Sequence, residues 1–152
     1  MIRSVLMDWW LRVHGVQCEG GFLCVHPVYF DVSSGGKISL GRNVSVNRNV
    51  TIDAADGGEI VIGSNVFIGP NTVLRASNHD YVRLKGHVPG RIVVGDNVWI
   101  GANCTVVPGV TIGSGSVIGG GSVVCKDVPE NVVAVGNPCR TVKRIYRETG
   151  RS

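Results

Sequence analysis

Histidines, cysteines and a basic tail are the groups in this 152-residue chain that could carry chemistry. His79 and His87 share one segment, and His14 and His26 lie far upstream. Five cysteines (Cys18, Cys24, Cys104, Cys125, Cys139) are odd in number and lack CxxC spacing. That pattern points to reduced thiols in the cytoplasm and not to a disulfide scaffold. The net charge of +4 favours an anionic partner, either nucleic acid or a phosphorylated small molecule. The basic residues are scattered until Arg140, Lys143, Arg144, Arg147 and Arg151, and no aromatic stacking motif accompanies them. A nucleic-acid module is therefore not expected. The glycine-rich run from Gly113 to Gly121 has the wrong spacing for a dinucleotide loop.

These groups need a frame. Hydrophobic residues make up 43% and charged residues 17%, so a packed single domain is expected. Asp8 interrupts the only apolar run near the start, which leaves no signal-peptide pattern. No stretch is long enough to span a membrane. Residues 1–16 predict an amphipathic helix, with Ile2, Val5, Leu6, Trp9, Trp10 and Val13 on one face. A cap over the core fits it best, and a helix lying at a membrane surface is the second reading. Residues 17–37 are ambiguous between short strands and turns.

From Leu40 to Val124 the chain is periodic. Leu40, Val46 and Ile52 stand at steps of six, as do Ile62, Ile68 and Leu74, and then Val94, Ile100, Val106, Ile112, Ile118 and Val124. A step of six is the hexapeptide repeat of parallel β-helices. The residues that follow add a second period. Gly41, Asn47, Asp53; Gly63, Gly69, Arg75; Gly95, Gly101, Val107; Gly113, Gly119, Cys125 put glycine or asparagine at two places of three. The unit is thus one coil of eighteen residues, with three strands and three corners. Two of the corners are expected to take positive φ at these glycines. Ile52 to Ile62 is ten residues and Leu74 to Val94 is twenty, so both insertions leave from the third corner. Insertions on one edge of a solenoid commonly mark its working edge. The expected layout is a cap at 1–16, an all-β parallel β-helix at 17–135 with a loop at 75–93, and a basic segment with a short helix at 136–152.

Four segments carry a resemblance: Asn71-Thr-Val-Leu-Arg-Ala-Ser-Asn-His79, Gly95-Asp-Asn-Val-Trp-Ile-Gly101, Ser122-Val-Val-Cys-Lys-Asp-Val-Pro129 and Gly136-Asn-Pro-Cys-Arg140. In this order they resemble the hexapeptide-repeat acyltransferases, in the branch of maltose, galactoside and nodulation-factor sugar O-acetyltransferases, over about residues 38–145. The resemblance implies a left-handed coil, because right-handed crossovers are otherwise the rule. It implies acetyl-CoA as co-substrate, no metal, and His79 as the general base. A sugar hydroxyl must lose its proton as it attacks a thioester, and an imidazole with an ordinary pKa of about 6.5 suits that task. The resemblance makes the Ala102 N–H the oxyanion donor. It sets Asn47, Asp53, Asn78 and Trp99 beside the acceptor. Trp99, Gly101, Ala102, Gly120, Lys126, Arg140 and Lys143 would meet acetyl-CoA, although the family more often has arginine where Lys143 stands. Turn preferences alone would also account for Asn47 and Asp53, and a solvated helix face would account for the basic tail.

His79 belongs to the third corner, and Asn47, Ala102 and Gly120 belong to the second. One prism cannot bring two of its own corners together, so a homotrimer with sites between subunits is expected. The expected acceptor is a carbohydrate hydroxyl, with a surface-polysaccharide or glycolipid precursor favoured and work near a membrane in keeping with the Trp-bearing helix. Alternatives are an amino-sugar nucleotide N-acetyltransferase, a serine acetyltransferase, a non-catalytic scaffold, and a zinc carbonic anhydrase. The last needs three converging histidines, and the repeat holds only His79 and His87.

Overall fold

The computed structural model describes residues 2–3, 9 and 11–146. Hexads at 40–124 do form strands, and the strands form three parallel sheets around one core. The first side stacks β2 (Val16–Cys18), β5 (Lys37–Leu40), β8 (Glu59–Ile62), β13 (Arg91–Val94) and β16 (Thr111–Ile112). The second stacks β3 (Leu23–Cys24), β6 (Ser45–Val46), β9 (Phe67–Ile68), β14 (Trp99–Ile100), β17 (Val117–Ile118) and β19 (Val132–Val135). The third stacks β4 (Val28–Asp31), β7 (Val50–Asp53), β10 (Val73–Arg75), β15 (Thr105–Val106) and β18 (Val123–Val124). The coil is left-handed.

Register explains why a step of six suffices. Val46 lies opposite Ile68, Ile68 opposite Ile100, and Ile100 opposite Ile118. Ile52, Leu74, Val106 and Val124 make the matching column on the third side. All of these side chains are buried. Each fully buried aliphatic contributes roughly 1.5–3 kcal/mol relative to exposure, so the columns hold the prism without help from helices. The pattern also extends below Leu40. Cys18, Cys24 and Phe30 are spaced by six and form the first coil, in register with Leu40, Val46 and Ile52. Cysteine and phenylalanine in place of aliphatics made 17–37 ambiguous in the sequence.

The corner glycines do not have the expected backbone. None of Gly41, Gly63, Gly69, Gly95, Gly101, Gly113 and Gly119 has positive φ. A Cβ on Gly69 would lie 2.6 Å from the Ala102 nitrogen, and one on Gly63 2.8 Å from the Gly95 carbonyl carbon. Coils stack at the ~4.8 Å strand spacing, and the corner leaves no room for a methyl group. Positive φ falls two residues later, on Asn43, Asn65 and Asn97 at the first corner and on Asn49, Asn71 and Asn103 at the second. These side chains form ladders. Asn43 Nδ2 donates to Asn65 at 3.2 Å and Asn65 to Asn97 at 3.3 Å, while Asn49 donates to Asn71 and Asn71 to Asn103, both at 3.2 Å. Asparagine serves because it tolerates the left-handed region and supplies its own bond partner.

Both ends depart from expectation. β1 (Ile2–Arg3) pairs antiparallel with β3, so the helix predicted at 1–16 does not begin at the first residue. Residues 9 and 11–13 are helical. Trp9 and Val13, on the predicted core-facing stripe, are 64% and 60% exposed, and Leu11, off that stripe, is buried. Val5, Leu6 and Trp10 of that stripe lie outside the described residues. At the other end β20 (Arg140–Arg144) is a strand and not a helix, antiparallel to β19. It closes the open edge of the second sheet, which would otherwise expose unpaired backbone groups. The 75–93 loop is ordered as a hairpin of β11 (Ser77–His79) and β12 (His87–Pro89). Among the described residues no helix is long and apolar enough to cross a membrane.

Candidate active site

Third-corner insertions of adjacent coils meet. Asp56, in the four extra residues after Ile52, places its Oδ2 3.4 Å from His87 Nδ1. His87 pairs with His79 across the hairpin, and the two rings stack at 4.5 Å between centroids, tilted by 39°. His79 is thus held from behind by a ring that is itself held by a carboxylate. The sequence motifs single out His79 and not Asp56 or His87. The available signal was that both insertions leave from one corner, a single coil apart. Asn78 and His79 are exposed and line a cleft of about 350 Å3 with Tyr81, Val88 and Pro108.

Asp53 ends β7 at this corner. Its Oδ2 lies 3.3 Å from Arg75 Nη1, and its Oδ1 accepts the Ala55 N–H at 2.9 Å. Both carboxylate oxygens are therefore engaged within the chain. Lys126 also lies at this corner, just beyond β18, and is exposed.

The second corner carries a different set. Asn47, Gly69 and Trp99 line a groove of about 290 Å3 with Val25, Ser45 and Phe67. Phe67 and Trp99, in register on adjacent coils, are 56% and 57% exposed. Asn47 Oδ1 accepts the Arg48 N–H at 2.8 Å, which leaves its Nδ2 as the outward donor. Above the groove come Gly101, Ala102 and Gly120. Arg140 and Lys143 follow on β20, opposite Val135 and Val133. Asn47, Trp99, Gly101, Ala102, Gly120, Arg140 and Lys143 are thus gathered along one edge, and Asn78, His79 and Lys126 along another. Neither cleft contains a residue of the other.

One feature separates the second corner from the first. At the first corner three successive turn N–H groups are each satisfied by the side chain one coil above. Arg42 N–H donates to Ser64 Oγ at 3.1 Å, Ser64 N–H to Asp96 Oδ1 at 2.7 Å, and Asp96 N–H to Ser114 Oγ at 3.0 Å. The equivalent second-corner positions are Arg48, Pro70, Ala102 and Gly120. Proline has no N–H, and alanine and glycine offer no acceptor. Among the described residues the Ala102 N–H therefore has no acceptor above it, and neither it nor the Gly120 N–H has a backbone partner. Fixed, open N–H groups of this kind suit a carbonyl or an oxyanion.

Burial raises the Cys104 and Cys139 thiols above their ordinary pKa. Among the described residues no group of three or more His, Cys, Asp and Glu is placed to hold a metal ion.

The family described as Bacterial transferase hexapeptide (six repeats) matches residues 91–126. The galactoside O-acetyltransferase of Escherichia coli K12 is 47% identical over 121 residues, which are 78% of this chain and 59% of that protein. The chain thus spans about three fifths of the length of that relative. A maltose O-acetyltransferase structure from Clostridium difficile 630 superposes with a TM-score of 0.82 at 34% identity, covering 97% of this chain and 80% of that one. A hexapeptide-repeat acetyltransferase from Vibrio cholerae O1 biovar eltor, complexed with acetyl coenzyme A, superposes at 0.77 with 31% identity, covering 95% and 79%.

Proposed function

The chain belongs to the hexapeptide-repeat acetyltransferases, and from that premise we propose that it moves the acetyl group of acetyl-CoA onto a hydroxyl of a carbohydrate. The observation that carries the reading is the second-corner edge, with open N–H groups at Ala102 and Gly120 beneath the cations Arg140 and Lys143. A pantetheine arm needs a narrow groove walled by small residues, with donors for its carbonyls. Its phosphates need cations at one end. Gly101, Ala102 and Gly120 supply the first, and Arg140 and Lys143 the second.

The edge lacks a base, and His79 lies on another corner. We therefore infer a homotrimer in which His79, Asn78 and Lys126 of one chain face the second-corner edge of its neighbour. A rotation that closes makes such head-to-tail contacts a ring. In the reaction His79 takes the proton of the acceptor hydroxyl as its oxygen attacks the thioester carbon. Ala102 N–H donates to the oxyanion that forms. The C–S bond then breaks, and the thiolate leaves with the proton from His79. No bond to the enzyme forms. Asp56 and His87 fix the ring position of His79.

The acceptor would lie over the aromatic pair Phe67 and Trp99, within reach of Asn47. A pyranose has an apolar face for the rings and hydroxyls for the amide, so a carbohydrate suits this groove better than serine does. A surface-polysaccharide precursor is the favoured substrate class, and five cysteines outside any disulfide support a reducing, cytoplasmic setting.

Thiol release from acetyl-CoA, measured against sugars, sugar nucleotides and serine, tests the reading. Release is expected with a carbohydrate and lost in His79→Ala. Absence of release with every acceptor would sink the proposal, and serine as the preferred acceptor would move the enzyme to another class.

A further inference from the structure

Ala102 and Gly120 can present their N–H groups only if the peptide planes before them are turned the right way. In a trans peptide the carbonyl and the following N–H point in opposite directions. Whatever holds the Gly101 carbonyl inward therefore turns the Ala102 N–H outward, and the Gly119 carbonyl does the same for Gly120.

Both carbonyls are held by buried side chains. Thr72, fully buried one coil below, donates its hydroxyl to the Gly101 carbonyl at 2.9 Å and accepts the Cys104 N–H at 3.2 Å. The hydroxyl is inserted as a bridge across the turn 101–104. The next turn is built the same way from within. Ser122, also fully buried, donates its hydroxyl to the Gly119 carbonyl and accepts the Gly136 N–H at 3.1 Å. Cys104 Sγ adds a contact to the Gly119 carbonyl at 3.3 Å. Thr72, Cys104 and Ser122 follow one another along the third sheet, each next to the strand residues paired in β10, β15 and β18. On the coil below, the same interior position is Val50. The column turns polar from the coil just below the Ala102 N–H upward.

We propose that Thr72 and Ser122, with Cys104 between them, are positioning residues for acyl transfer. They lock the Gly101 and Gly119 carbonyls inward so that the Ala102 and Gly120 N–H groups face the acyl donor. None of the three touches substrate. The proposal rests on the acetyltransferase reading and goes beyond it, because it assigns a kinetic role to hydroxyls that would otherwise count as core.

Ser116 supplies a matched control. It is equally buried, donates to the Pro129 carbonyl at 2.6 Å and accepts the Val132 N–H at 3.2 Å, but it lies at the first corner. The experiment compares Thr72→Val, Thr72→Ser, Ser122→Ala and Ser116→Ala by steady-state thiol release at saturating acetyl-CoA, alongside thermal unfolding. Thr72→Val is expected to lower kcat about tenfold, less than loss of a whole oxyanion donor, with the acceptor KM unchanged. Thr72→Ser should stay within about twofold of wild type, because it keeps the hydroxyl. Ser122→Ala should follow Thr72→Val, and stands in for it should the valine variant not fold. Ser116→Ala should lower Tm and leave kcat alone. An unchanged kcat in Thr72→Val and Ser122→Ala, with active wild type, overturns the positioning role only. So does an equal kcat loss in Ser116→Ala. A wild type that releases no thiol overturns the acetyltransferase reading and the positioning role with it.

Discussion

Gly120→Ser is the substitution that most directly tests the open N–H groups. At the first corner, Ser114 Oγ accepts the Asp96 N–H one coil below at 3.0 Å. Gly120 stands in the same relation to Ala102, and its φ is not positive, so serine can adopt its backbone. The new Cβ would lie 3.2 Å from the Ala102 carbonyl oxygen and 3.7 Å from its nitrogen, a tight fit that a shift of a few tenths of an ångström relieves. The serine hydroxyl then accepts the Ala102 N–H and removes it from the reaction. Loss of one oxyanion donor costs about 10²–10³ in kcat, or roughly 2.7–4 kcal/mol. The new hydrogen bond contributes about 1 kcal/mol to the fold and offsets the crowding. Activity should therefore collapse while Tm hardly moves. Gly120→Ala adds the same Cβ without the oxygen and should retain at least about tenfold more kcat than the serine variant, since it leaves the donor free. The assay is thiol release at saturating acetyl-CoA, with calorimetric Tm beside it. Equal losses in the two variants would mean that the groove is merely blocked. A serine variant within about twofold of wild type would remove Ala102 from the chemistry.

Mixed trimers test the shared site. His79→Ala and Gly120→Ser damage opposite edges, so co-refolding equal amounts should restore about a quarter of wild-type activity, the fraction of sites receiving both intact halves; no recovery would refute a site between subunits. His87→Ala and Asp56→Asn should each lower kcat about tenfold, and the double variant should lose little more, as expected for residues acting through one ring; additive losses would separate them from His79. Asn71→Ala should destabilise by roughly 1–2 kcal/mol in urea, because alanine must take φ of 57°. Asn71→Gly should isolate the smaller cost of the ladder bonds alone. Cys125 is the exposed thiol, whereas Cys18, Cys24, Cys104 and Cys139 are buried, and burial keeps Cys24, Cys104 and Cys139 in the protonated, unreactive form well above neutral pH. A maleimide at pH 8 should label one thiol per chain natively and five after unfolding; more than one rapid native equivalent would contradict that burial.

Much of this was legible in the sequence because the repeat is a local rule applied at fixed spacing. Ile100 and Ile118 face inward for the same reason, so the steps from Leu40 to Val124 determined the strands, the three corners and the corner from which both insertions leave. The edges of the pattern were less legible. Cys18, Cys24 and Phe30 kept the spacing but not the residue type. Arg140–Arg144 read as a basic helix face, although the open sheet edge at β19 makes a strand of it. The corner glycines were seen and assigned the wrong reason, since their need for empty space comes from the coil above and not from their own φ.

The sequence by itself determined the coil, the register of its core, and the separation of His79 from Ala102 and Gly120 onto different corners. Only the tertiary structure decided what those residues face. Asp56, His87 and His79 line up because two insertions, thirty-one residues apart at their paired side chains, stack one coil above the other. The Ala102 N–H is open because residue 120, one coil away, lacks a side chain, and it points outward because Thr72, one coil below, holds the preceding carbonyl. Strand stacking creates such contacts between residues distant in the chain, and no local pattern at position 102 reports what lies above or below it.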